Sequence, residues 1–257
     1  MENSYSNVVI TGASSGLGRA LSLWFVRRGA RVYAAARREE QLESLKAEAA
    51  AGPGQVVPVR LDVARTDTVE STLLALDDAT PGGIDLVVAN AGVGGMSTGQ
   101  QGQWPAVEKM LQVNVLGATA TLMALAPRML ERHKGHLVGI SSLAAWLVVP
   151  RFGIYGASKR YLQTYCQGLR MDLAGTGVRV TCINPGFVKS EMTANNRFTM
   201  PFLLETADAA DRMGRAILRG DARFAFPWQM AWLTRLASLL PPWLIARSMG
   251  SASKKSH

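Results

Sequence analysis

The 257-residue chain has only two cysteines, Cys166 and Cys182, and three histidines. Two thiols cannot build a disulfide framework, and their scarcity fits a reducing, cytoplasmic setting. His133 and His136 share a two-ligand spacing, but no cysteine or carboxylate cluster accompanies them, so both are expected at the surface or in turns and no metal site is expected. The opening Met1-Glu2-Asn3-Ser4-Tyr5-Ser6 has neither a basic n-region nor an apolar h-region, so no secretory leader is expected. Two uncharged apolar runs near the end, Phe224 to Thr234 and Leu236 to Ala246, are separated by Arg235, and Pro241-Pro242 breaks the second. Neither approaches the about 20 residues of a membrane span, so no crossing segment is expected.

Acidic residues are also scarce, 19 against 28 Lys and Arg, for a net charge of +9, and none follows Asp221. Beyond that point come Arg223, Arg235, Arg247, Lys254 and Lys255, interspersed with Trp228, Trp232 and Trp243. On a helix, Trp228, Trp232, Leu236 and Leu239 would share one stripe. Three readings of the stripe stay open: packing on the domain or another subunit, lying on a membrane surface as a peripheral contact, or shaping a tunnel for a lipid-like substrate. The charge alone would admit nucleic acid, but no recognition motif is present and none is expected as a partner.

With 48% hydrophobic and 18% charged residues there is ample material for a core. Short apolar runs alternate with longer helix-like stretches. Strands are predicted at Asn7–Ile10, Arg31–Ala36, Gln55–Leu61, Asp85–Ala89, His136–Ile140 and Arg179–Ile183. Between them lie helical stretches at Gly16–Arg28, Glu39–Ala51, Thr66–Asp78, Trp104–His133 and Tyr155–Ala174. Strands this apolar, each followed by a helix, predict an α/β fold: a single doubly wound parallel sheet of Rossmann type with helices on both faces. One domain is expected across 1–257. The stretch 190–221 breaks the rhythm and is expected to close over a ligand as a lid, with an apolar, basic segment at 222–257.

The turn Thr11-Gly12-Ala13-Ser14-Ser15-Gly16-Leu17-Gly18 joins the first strand to the first helix. Glycine permits close backbone approach, and a helix N-terminus presents free N–H groups to a pyrophosphate. Its spacing differs from the common Gly-x-Gly-x-x-Gly fingerprint. Further on come Asn90-Ala91-Gly92, Asn114, Ser142, Tyr155-Gly156-Ala157-Ser158-Lys159 and Pro185-Gly186. Their order and spacing, from about Val8 to Ser190, resemble the short-chain dehydrogenase/reductase family. The family often has a second Asn where Ala89 stands and a Thr where Ser190 stands; serine keeps the hydroxyl that would reach the nicotinamide amide.

The resemblance implies a nicotinamide dinucleotide held by Gly12, Ser14, Ser15, Gly16, Leu17 and Gly18, with Asp62 and Val63 at the adenine. It further implies that Asn90, Ala91 and Gly92 line the site, and that Pro185, Gly186, Val188 and Ser190 contact the nicotinamide. Asp62 could equally cap the next turn. An acid ending the second strand would select a free ribose diol, but this strand ends in Ala36 before Arg37 and Arg38. Guanidinium binds phosphate bidentately, so NADP(H) is expected over NAD(H), with Arg37 the main contact and Ser14 a hydroxyl donor.

Tyr155 and Lys159, four residues apart on a helix, share a face. A phenol with a pKa of about 10 is a poor base, and a nearby ammonium and an oxidised nicotinamide would lower it. The resemblance makes Tyr155 the general acid/base, Ser142 the hydrogen-bonding partner of the substrate oxygen, Lys159 also a binder of nicotinamide-ribose hydroxyls, and Asn114 the holder of a water linked to the lysine. Ser141 is expected to bond backbone. Trp146, Leu147, Met192, Phe198, Met200 and Phe202 are expected around a hydrophobic carbonyl substrate. A homodimer or homotetramer is implied, since helices carrying Asn114 and Tyr155 often meet between subunits. The alternative is a non-catalytic NADP sensor on the same fold.

Overall fold

The computed structural model describes residues 5–95, 104–194, 199–241 and 243–245. Seven short runs form strands: β1 (Asn7–Thr11), β2 (Arg31–Ala36), β3 (Gln55–Arg60), β4 (Leu86–Ala89), β5 (Gly135–Ile140), β6 (Val178–Pro185) and β7 (Arg223–Phe226). All pair in parallel, in the order β3-β2-β1-β4-β5-β6-β7. Successive residues of a strand point to opposite faces. Val8 and Ile10 of β1 therefore enter one buried cluster and Val9 the other, so both faces must be covered by helices.

The first face is covered by α1 (Gly16–Val26), α2 (Glu39–Ala49) and α9 (Thr206–Arg219); the other by α3 (Thr66–Asp78), α5 (Ala118–Met123), α6 (Ala126–Glu131) and α7 (Gly153–Asp172). In α1 the buried residues Gly18, Leu21, Ser22 and Phe25 recur at the three- and four-residue spacing of one helical face. Full burial of Phe25 alone contributes about 1.5–3 kcal/mol. The order of strands reverses direction between β1 and β4, which opens a crevice at their carboxyl ends.

Four expectations need correction. The stretch 190–221 is not irregular throughout: after the short α8 (Glu191–Ala194) it forms α9, which buries Ala209, Ala210, Met213 and Ile217. A Cβ on Gly214 would fall 2.5 Å from the Trp24 ring, whose Nε1 donates to Asp211 at 3.0 Å, so α9 is pressed onto α1 as a regular crossover. Gly220, at φ +71°, closes it as a left-handed cap. Residues 223–226, placed by sequence in the basic tail, add the seventh strand. The uncharged stretch from Met110 to Pro127 is longer than the two runs at the C-terminal end. It lies in a helical passage, Trp104–Glu131, that is long and apolar enough to cross a membrane by length and composition, but more than half of its most apolar window is buried.

The fourth concerns His136, which is fully buried on β5 while His133 stays exposed. Its Nδ1 lies 2.5 Å from the Tyr5 hydroxyl and its Nε2 2.8 Å from that of Thr181. Arg179 donates to the same Tyr5 oxygen at 2.7 Å. Burial, reinforced by Arg179 and Arg170, pushes the imidazole from 6.5 down to about 3. The unfolded chain therefore takes up a proton near pH 6.5 that the folded chain refuses until about pH 3. Unfolding free energy should fall by about 2 kcal/mol between pH 6.5 and 5. Denaturant titrations at those two pH values check this, with His136→Gln expected to flatten the slope; a wild-type stability constant over the range would contradict it.

Candidate active site

The carboxyl ends of β1 and β4 are tied together. The Thr11 hydroxyl accepts from the Asn90 and Ala91 amides, each at 3.2 Å, and Asn90 Nδ2 donates to the carbonyls of Thr11 at 2.9 Å and Gly12 at 3.3 Å. A side chain at Gly12 would strike Ala91 Cα at 2.7 Å, and one at Gly18 would lie 2.4 Å from the Gly12 oxygen. Ser15 precedes α1 without capping it by its side chain, and the first turn carries no acid. The amides at Gly16, Leu17 and Gly18 thus face the crevice with the positive end of the helix dipole, a setting that fits a pyrophosphate.

Beside this loop, Arg38 rather than Arg37 makes the contacts. Its Nε and Nη2 donate to Ser14 Oγ at 3.2 and 3.1 Å, and Nη2 to Ser15 Oγ at 2.7 Å. Arg37 is exposed and makes no hydrogen bond or ion pair within the described residues. Glu191, unforeseen in the sequence, accepts from Ser15 Oγ at 3.2 Å and pairs with Arg38 at 3.0 Å. Asp62 Oδ1 accepts from the Ala64 amide at 3.1 Å, a local turn that leaves its second oxygen available. The Val63 carbonyl would lie 2.5 Å from a Cβ on Gly117, so the helical passage that carries Asn114 runs directly over this loop.

β5 and α7 bring the chemical groups together. β5 is followed by Ser141 and Ser142. Ser141 Oγ donates to the Lys159 carbonyl at 2.7 Å, so it is spent on backbone. Ser142 starts a short 3-10 turn (Leu143–Ala145), accepts from the Ala144 amide at 3.1 Å and lies beside the Tyr155 phenol, near enough to favour its charged form. Lys159 is buried, and its Nζ donates to the Ile140 carbonyl at 2.9 Å. A Cβ on Gly92 would come within 3.1 Å of that Nζ and 3.4 Å of Asn114 Oδ1, so no larger residue fits there without a shift.

Asn114 follows α4 (Trp104–Leu111) in a π-helical segment, Gln112–Gly117, a local widening of the helix common at functional sites. Its amide clamps Val93, accepting from the backbone N–H at 2.8 Å and donating to the carbonyl at 2.9 Å. It also donates to Ser158 Oγ at 3.1 Å, which in turn donates to the Tyr155 carbonyl at 2.8 Å. Asn114 thus positions the loop after β4 and the start of α7.

The electrostatics differ from the sequence expectation. Burial pushes the Tyr155 phenol up, and the Ser142 hydrogen bond only opposes this. Burial lowers the Lys159 amine to about 8, with Cys182 opposing. The lysine is turned toward Ile140, and the desolvation of the phenol outweighs any benefit of a nearby ammonium.

After β6, the Gly186 amide donates to the Phe226 carbonyl at 2.7 Å, and a Cβ there would meet Met230 Sδ at 2.9 Å. Pro185 ends the strand, Val188 bridges to Leu204, and the Ser190 amide donates to Thr193 Oγ1 at 2.9 Å. Met192 of α8 reaches across the cleft, its Sδ 3.0 Å from where a Cβ on Gly94 would stand. Trp146 is half-buried above the 3-10 turn with Arg235 stacked over its ring. Phe202 is exposed, and Phe198 lies outside the described residues.

A family model for short chain dehydrogenase matches residues 6–200. An uncharacterized oxidoreductase from Myxococcus xanthus is 55% identical over 240 residues, which cover 93% of this chain and 94% of that protein. A short-chain dehydrogenase from Sphingobium yanoikuyae in complex with NADPH superposes with a TM-score of 0.80 at 25% identity, over 86% of this chain and 88% of that one. A short-chain dehydrogenase/reductase from Burkholderia phymatum in complex with NAD gives 0.83 at 26% identity, over 92% and 94%. The ordered motifs, the parallel sheet that brings them to one crevice and these relatives agree: the chain belongs to the short-chain dehydrogenase/reductase family of oxidoreductases.

Proposed function

We propose that the protein transfers hydride between NADP(H) and the carbonyl or secondary-alcohol carbon of a hydrophobic substrate, with Tyr155 as general acid/base. The observation that carries this reading is the convergence of the Tyr155 phenol, Ser142 and the buried Lys159 amine, one helical turn from Tyr155, at the carboxyl end of the sheet. When bound, NADP(H) supplies the hydride. The amides of Gly16, Leu17 and Gly18, with Gly12 and Ser15, hold the pyrophosphate. Ser14, Arg37 and Arg38 hold the 2′-phosphate, and Asp62 and Val63 the adenine. Asn90, Ala91 and Gly92 line the sugar side, and Lys159 and Tyr155 reach the nicotinamide ribose. Pro185, Gly186, Val188 and Ser190 face the nicotinamide.

In reduction, the Tyr155 hydroxyl gives its proton to the substrate oxygen while Ser142 donates a hydrogen bond to the same developing charge. A phenol kept high by burial retains that proton through neutral pH. In oxidation it must first become phenolate, which the positive nicotinamide favours. Met192 and Trp146 beside the cleft support an apolar substrate. Exposed Leu116, Met123 and Tyr161 on the helices carrying Asn114 and Tyr155 support a homodimer or homotetramer.

Screening NADPH oxidation over chemically diverse ketones and aldehydes, repeated with NADH, tests the reading. For any ketone that turns over, kcat/KM for reduction should be level through neutral pH and fall above about pH 8, where the Lys159 amine loses its charge. A reduction rate still climbing past that point would contradict the assignment.

A further inference from the structure

The last described helix, α10 (Trp228–Ala237), turns only part of itself toward the protein. Met230 lies against Gly186, and Thr234 is half-buried. Outward stand Trp228, Trp232, Leu233 and Leu236, each 57–65% exposed, and Leu239 and Trp243 continue the patch at 80% and 65%. Isolated exposed apolar residues are ordinary, but a contiguous set with tryptophans marks an interaction surface. Arg235, its guanidinium 5.7 Å from the Trp146 ring, joins this patch to the loop that follows Ser142, where Val148 is 77% exposed. The face is therefore continuous with the rim of the catalytic cleft.

Its charge is of one sign. No Asp or Glu occurs between Glu131 and Asp172, nor after Asp221, so neither the loop nor α10 contributes a carboxylate. Arg235 is exposed within it. In a two-fold pairing of copies the same patch meets itself. Arg235 would then meet like charge with no acid to neutralise it, which disfavours a second copy. Tryptophan and leucine flanked by arginine suit the boundary between acyl chains and anionic headgroups.

We propose that α10, the segment to Leu244 and the loop at 146–149 bind an anionic bilayer surface, which brings the mouth of the cleft to the lipid. Each arginine near such a surface strengthens binding through phosphodiester headgroups, and the tryptophans insert at the interface.

Sedimentation of the full chain with vesicles tests this without reference to catalysis. The protein should pellet with vesicles of phosphatidylcholine and phosphatidylglycerol in equal parts, and about tenfold less with phosphatidylcholine alone. The double variant Trp232→Asp/Leu236→Asp, and separately Arg235→Glu, should each cut binding about tenfold with an unchanged unfolding midpoint. A wild-type chain left in the supernatant with anionic vesicles would overturn the proposal, as would undiminished binding of both variants. Dimers in solution that the double variant dissolves, without vesicle binding, would assign the face to a second copy instead. Equal capture by polyglutamate and by anionic vesicles would assign it to an acidic protein.

Discussion

Replacing Tyr155 by Phe should lower kcat for carbonyl reduction about a thousandfold while NADPH affinity changes less than about threefold. The substitution removes one oxygen from a ring that stays where α7 holds it, because the Asn114–Ser158 chain grips the Tyr155 backbone rather than its side chain. The lost oxygen is the proton carrier that this account assigns to the substrate; Ser142 retains its Ala144 contact and cannot substitute, since a serine hydroxyl is a far weaker acid. Removing Ser142 as Ser142→Ala leaves the proton donor but strips a hydrogen bond from the developing oxyanion, and a smaller loss, about a hundredfold, is expected. Single-turnover rates with saturating NADPH separate the two effects from binding. Near-wild-type turnover by Tyr155→Phe would remove Tyr155 from the chemistry.

The double variant Arg37→Ala/Arg38→Ala should weaken NADPH binding about a hundredfold and NADH binding less than about threefold. Two guanidinium contacts to one phosphate are charge-assisted, each worth about 1.5–3 kcal/mol, and only NADPH offers that phosphate. Arg38 already points its fork at Ser14 and Ser15, so it needs little reordering. Glu191 competes for the same groups in the unliganded arrangement. Glu191→Gln should therefore tighten NADPH about threefold, by removing a like charge from beside the phosphate. Calorimetric titration of both cofactors reads both variants against the wild-type chain. An NADH affinity equal to that for NADPH in the wild-type chain would defeat the phosphate assignment at once.

Most of the sheet was visible in the sequence because β1, β2, β4, β5 and β6 are buried on both faces and so carry continuous apolar runs between glycine turns and helix starts, while the edge strand β3 keeps valines between exposed ends. β7 was not, since four residues ending at Phe226, just before Pro227 in an aromatic stretch, have no periodicity to read. α9 had a readable signal: Ala209, Ala210, Met213 and Ile217 recur at the three- and four-residue spacing of one helical face, interleaved with Asp211, Arg212 and Arg215, and Gly220 closes the run. Its contact with Trp24 through Gly214 is tertiary and was not readable.

Ser142, Tyr155 and Lys159 converge on one crevice because strand ends and helical turns convert spacing into position. Which of Arg37 and Arg38 turns toward the loop depends on the backbone path after β2, which spacing does not encode. The Asn114 clamp on Val93 and the Glu191 latch join segments far apart in sequence, and only the fold brings them together. Thr11 had a local signal, a hydroxyl residue at the end of β1, where it ties the two central loops. The direction of the Tyr155 shift followed from burial, a tertiary property, and so ran opposite to the effect expected from its lysine neighbour alone.

The central claim is most directly tested by NADPH carrying deuterium at nicotinamide C4, incubated with the protein and an aryl ketone that turns over in the screen, with mass analysis of the alcohol. The account predicts deuterium on the carbinol carbon and a solvent-derived proton on its oxygen. Alcohol lacking deuterium with both C4-labelled epimers of NADPH, or tight NADPH binding with no alcohol formed from any carbonyl compound in the screen, would contradict it.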